Sequence, residues 1–213
     1  MNLAHEIRLG MSETSVALRR PQELVVRWRD RSVCPEGSAS TFDRSPAAPP
    51  SAAVFPILVA NAVLGLAAYG LVMGMDEGAA GMLGHAVRAP LACGVAWTIA
   101  LPALYIINTI LGSRLDASTT ALGALATVSF GALAMLASVP VRWFVNLTLP
   151  YAPVRLAVDM IVFAGVGVSM IDVFLRVMKA LEPTRSRLFA LLWLGLVAVI
   201  GGELLILLHV FEL

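Results

Sequence analysis

The sequence predicts an all-α, polytopic membrane protein with five transmembrane helices, its N-terminus inside and its C-terminus outside. Three observations predict it. Of 213 residues, 59% are hydrophobic and 14% charged, against roughly 45–50% and about 25% in an ordinary soluble domain; the mean hydropathy is +0.85. The apolar residues gather into five stretches, each long enough as a helix to cross ~30 Å of hydrocarbon. The cations lie unevenly between the loops on the two sides. Together these exclude a soluble enzyme domain, a disordered chain and a disulfide scaffold.

Residues 1–45 form a polar, cytoplasmic N-terminal region with seven Arg and six acidic residues. One segment reads as a short amphipathic helix: Pro21 fits a first helical position, and Leu24, Val25 and Trp28 share a face beside Arg27, Arg29 and Arg31. It is expected to pack on its own protein or to lie at the membrane interface. The N-terminus has no basic start followed by an apolar run, so no cleaved signal peptide is expected. Residues 46–53, PAAPPSAA, form an extended Pro/Ala linker. The membrane domain, 54–213, follows.

The predicted spans are 53–75, 91–111, 119–139, 156–174 and 188–208. Helix is required because an open strand would leave backbone groups unpaired in lipid. Pro56 sits in the opening turn of the first span, and the second and third carry no charge. The segment 141–153, VRWFVNLTLPYAP, holds Arg142, Asn146 and two prolines. It reads as a headgroup-level loop anchored by Trp143 and Tyr151. With the N-terminus inside, the inner segments hold twelve Arg or Lys and the outer segments three; that bias sets the orientation.

Ionisable groups inside a membrane are costly and mark sites. Asp159 and Glu203 are both placed toward the outer ends of their spans, flanked by Arg88, Arg142 and Arg155, so these five groups are expected at one depth. Structural ion pairing is the favoured role; a proton or ion site is the alternative. At the inner end, Asp172 and Arg176 stand four residues apart in the favourable acid-before-base order. Gly70, Gly74 and Gly78 follow a GxxxGxxxG spacing, and Gly165 with Ser169 makes a second small-residue pair. Such faces let helices approach closely, within one chain or between subunits.

No catalytic, cofactor or metal constellation is recognisable: HExxH, GxSxG, Walker and GxGxxG contexts are missing. His5, His85 and His209 are scattered, and Cys34 and Cys93 fall in different environments. A net charge of +1 argues against a nucleic-acid partner. Fourteen Arg against one Lys, with abundant Ala, Leu and Gly, points to a GC-rich bacterial genome and hence to the cytoplasmic (inner) membrane.

Arg88-Ala89-Pro90-Leu91, then LPALYIINTILGSRL (101–115), LASVP (136–140), LTLPY (147–151) and Tyr69-Gly70 together resemble bacterial members of the Yip-type (Ypt/Rab-interacting protein-like) membrane protein family. The resemblance covers about residues 55–175. It implies a five-span helical protein with a cytoplasmic N-terminal region. Eukaryotic relatives are linked to small GTPases and membrane traffic, but their acidic-Leu-Tyr-Gly-Pro motif is missing here, so GTPase binding is not carried over. The expectation is therefore a non-enzymatic membrane scaffold or accessory subunit without cofactors. It would be embedded in the lipid bilayer as a homo-oligomer or part of a membrane complex, and would offer residues 1–45 to a cytoplasmic protein. A small oligomeric transporter or channel using outer-leaflet acids is the alternative.

Overall fold

The computed structural model describes residues 20–33, 53–110, 115–149, 151–183 and 187–207. Most of the N-terminal region and all but the last residue of the linker lie outside these, as do His5, Cys34 and His209. The described residues form six α-helices: α1 (Pro21–Val33), α2 (Val54–Met73), α3 (Gly78–Ile110), α4 (Ala117–Thr148), α5 (Ala152–Leu181) and α6 (Arg187–Leu207). A 3-10 turn, Gly74–Glu77, joins α2 to α3. There is no strand among the described residues.

Three helical stretches among them are long and apolar enough to cross a membrane: Val54–Ile106, Ala117–Thr148 and Ala152–Leu181. The first runs through α2, the 3-10 turn and most of α3, and the chain reverses at that turn. Gly78 makes that reversal possible with a φ of 76°, a left-handed conformation that glycine alone adopts without strain. Gly70 then meets the backbone of His85, and Gly74 that of Gly81. The packing role expected for Gly78 is thus corrected: nothing lies within 4 Å of where its Cβ would be, and it serves as the bend. Gly70 and Gly74 keep the packing role, within the chain.

The helices are longer than the apolar stretches that betrayed them. Residues 78–90, expected in a loop, are the first turns of α3. Residues 141–148, expected in a broken headgroup loop, continue α4. Proline misleads in both places. Pro90, Pro102 and Pro140 all lie inside helices, each freeing one carbonyl a turn earlier. The helix past Pro140 survives because it is two-faced: Arg142 and Val145 are buried, while Val141, Trp143, Phe144 and Leu147 are exposed. Tyr151 is exposed at the start of α5.

α2 packs on α3 and α4, α4 on α5, and α6 on α3 and α5. Contact between α2 and α4 is intimate at Gly65, whose Cβ would fall 2.3 Å from the carbonyl oxygen of Ala132. Asn61 locks the same pair by donating to Ser129 Oγ at 2.6 Å and to the Ser129 carbonyl at 3.0 Å. At one end the core is Leu24 and Val25 of α1 with Leu58, Leu122 and Val177; at the other it is Tyr69, Met73, Met135 and Val166. The outer surface stays apolar, with Leu64, Ile161 and Val168 each about two-thirds exposed. In water that surface would be a liability, whereas in lipid it is the ordinary exterior.

α1 caps one end. Its Leu24 and Val25 are buried, as the shared apolar face anticipates. Trp28 stacks edge-on against Phe55 at 5.2 Å and donates its indole N–H to Ser118 Oγ at 3.2 Å. Arg29 donates to the Leu181 carbonyl at the end of α5, 3.1 Å away. The helix therefore packs on its own protein.

Candidate functional site

A cluster of buried and part-buried polar side chains lies at the opposite end, where the α2–α3 and α4–α5 turns meet. Each is delivered by a helix end. Tyr69 lies in the last turn of α2, Arg142 and Asn146 in the last turns of α4, and Asp159 in the second turn of α5. Asp76 and Glu77 come from the 3-10 turn, and His85 from the start of α3.

Arg142 Nε donates to Asp159 Oδ1 at 2.7 Å. Both residues are only 3% exposed. The Tyr69 hydroxyl donates to the same carboxylate oxygen at 2.8 Å, and its ring packs edge-on against Phe163 at 5.8 Å. Three helices are thus joined at one carboxylate. A buried charge needs a partner and further hydrogen bonds to be tolerated, and Asp159 has both. Nearby, Asn146 donates to the Val72 carbonyl at 2.7 Å. Arg155 pairs with Asp76 at 2.8 Å, and buried His85 meets Glu77 at 3.0 Å. Arg142 Nη1, His85 Nδ1 and Asn146 Oδ1 are buried with no protein partner.

This geometry divides the five groups expected to meet. Asp159 and Arg142 pair directly. Arg155 turns to Asp76 instead. Arg88 is exposed on α3. Glu203 lies elsewhere: Gly201 sits beside Ala96, about halfway along α3, whereas Asp159 sits beside the end of α4. Glu203 itself is exposed. The expectation of one shared depth is corrected, because span boundaries alone do not give the offset of α6 against its neighbours. Asp172 and Arg176 form the expected i,i+4 pair on the exposed side of α5. Gly165 has nothing within 4 Å of a Cβ among the described residues, is exposed, and accepts at its carbonyl from the Ser169 hydroxyl at 3.0 Å.

Sequence reasoning missed Tyr69, Asp76, Glu77 and His85 as members of the cluster. Tyr69 reads as one more apolar span residue, and the other three lie in a presumed loop. Chemically, the cluster holds a carboxylate paired with the Arg142 guanidinium and hydrogen-bonded by the Tyr69 hydroxyl. Among the described residues no three His, Cys, Asp or Glu side chains gather to hold a metal.

The fold and site together define an all-helical protein with helices suited to a membrane and a buried ionic clasp at one end. Comparison with known proteins adds no relative: no family model, curated protein or solved structure matches the chain.

Proposed function

We propose that this protein is a non-enzymatic integral membrane scaffold or accessory subunit of the bacterial inner membrane. In this reading α2 to α6 are five spans, the N-terminus is inside and the C-terminus outside. The Arg142–Asp159–Tyr69 clasp carries the reading, because its charges are engaged in holding α2, α4 and α5 together. The loop-charge bias supports the orientation. The Gly165/Ser169 face of α5, open at Gly165 among the described residues, supports homo-oligomerisation or contact with another membrane subunit. Residues 1–45 would meet a cytoplasmic protein, with α1 (Pro21–Val33) holding the middle of that region against the bundle. The Yip-type resemblance accords with this arrangement.

Native mass spectrometry after mild-detergent or nanodisc purification tests it. A defined homo-oligomer or a stoichiometric foreign protein is expected. A bare monomer overturns the reading.

A second reading, a small oligomeric transporter or channel, is favoured by one observation: the exposed carboxylate of Glu203 about halfway along the bundle. Its test is flux of protons, sodium or potassium into reconstituted vesicles, abolished by Glu203→Gln.

A further inference from the structure

A cavity of about 310 Å³ lies between α3, α4, α5 and α6. Cys93 and Trp97 of α3 form one wall, Val128 of α4 the back, and Gly167 and Met170 of α5 with Gly202 of α6 the others. Among the described residues, no hydroxyl, amide or charged side chain lines it. An internal water needs two to four polar partners, and an apolar cavity of about 150 Å³ stays dry yet accepts benzene. Water is therefore a poor occupant here, and a hydrocarbon a good one.

Two glycines hold the space open. At Gly167 and Gly202 nothing lies within 4 Å of where a Cβ would stand. This differs from Gly65 and Gly70, which bring backbones together. Ala198 in the lining is exposed, so the cavity reaches the surface. The exterior beside it is apolar: Val168 and Val199, the chain neighbours of the lining residues Gly167 and Ala198, are each about two-thirds exposed. The cavity is thus continuous with the apolar exterior. Along α3 it runs from Ala89 to Trp97, about 12 Å of helix, most of the ~15 Å hydrocarbon depth of one leaflet. A second cavity of about 270 Å³ adjoins it and shares Leu66, Cys93, Trp97 and Val128.

We infer that the cavity between α3, α4, α5 and α6 is a site for one acyl chain of a membrane phospholipid, entering beside Ala198 of α6. The site rests on the membrane reading above, though not on the scaffold role. Its length, dryness and continuity with the exterior match a single hydrocarbon chain at that depth.

The test uses the full chain in mild detergent with palmitoyl-oleoyl phosphatidylcholine, read by native mass spectrometry. One retained phospholipid per chain is expected. Gly167→Leu with Gly202→Leu fills open space, so helicity and melting temperature should hold while lipid retention falls about tenfold or more. Equal retention by the filled variant overturns the site, as does retained detergent that the phospholipid does not displace. Should the filled variant not fold, Cys93 decides in a Cys34→Ser background. Added phospholipid is expected to slow its reaction with N-phenylmaleimide about tenfold, and an unchanged rate overturns the site. Flotation with vesicles separates the two ideas. A chain that floats but retains no lipid overturns the site alone; one that does not float overturns the membrane reading as well.

Discussion

Arg142 and Asp159 face each other across the α4–α5 turn with 2.7 Å between Nε and Oδ1. Their pairing makes that turn a clasp, because the Tyr69 hydroxyl reaches the same carboxylate oxygen from α2. The charge that makes either residue costly alone is what joins three helices here.

Removing one partner should be worse than removing both. Arg142→Ala or Asp159→Ala leaves a buried unpaired charge and should cost about 3–5 kcal/mol. The double variant Arg142→Met with Asp159→Leu should lose less than either single variant. Tyr69→Phe should cost about 1.5–3 kcal/mol, the value of a hydrogen bond to a charged group. Denaturation in mixed micelles measures all four. Asp159→Asn should disturb assembly before it disturbs any ion flux; intact assembly with lost flux would reverse the ranking of the two functional readings.

Glycines should separate into three kinds. Gly65→Ala and Gly70→Ala press a Cβ against neighbouring backbone 2.3–2.4 Å away and should destabilise by about 1–3 kcal/mol. Gly78→Ala forces a positive φ of 76° on alanine and should cost about 1–3 kcal/mol. Gly165→Ala meets open space and should be neutral or gain up to about 1 kcal/mol of helix propensity. Thermal melts of the four variants give the order directly.

If the open α5 face is a subunit interface, Gly165→Leu should lower the assembled mass without lowering the melting temperature of the chain. A loss of both together would place Gly165 inside the monomer core instead.

The docking of α1 should depend on pH in one direction. Asp116 caps the N-terminus of α4, and hydrogen bonds from Ser118 hold its carboxyl below the usual carboxylate range. Ser118 in turn accepts from Trp28. A carboxylate held low in the folded state contributes stability above its unfolded value, about 3.9; that contribution fades as pH falls through the lower folded value. Trp28 emission should therefore stay constant from neutral pH to about 4 and change only below it. Asp116→Asn should remove that acid step. A transition near pH 6–7 would point to a different group.

Much of the architecture was legible because hydropathy is summed over many residues. Five apolar stretches, the apolar face of α1 and the i,i+4 pair Asp172–Arg176 all follow from local periodicity. The candidate site was half legible. Asp159 and Arg142 stand out because charge beside an apolar run is rare. Tyr69 does not, since a tyrosine in a span reads as bulk until its hydroxyl finds a carboxylate.

By itself the sequence determined an all-helical chain, the positions of its apolar helices and the residues whose charge needed an answer. These depend on composition and on a 3.6-residue period, which are local. Only the tertiary structure decided which partner each charge takes, that helices continue through Pro90 and Pro140, and that Gly78 turns while Gly70 packs. Those outcomes depend on the axial offset between helices. A shift of one residue moves a side chain about 1.5 Å along the axis and 100° around it, and no local pattern records that offset.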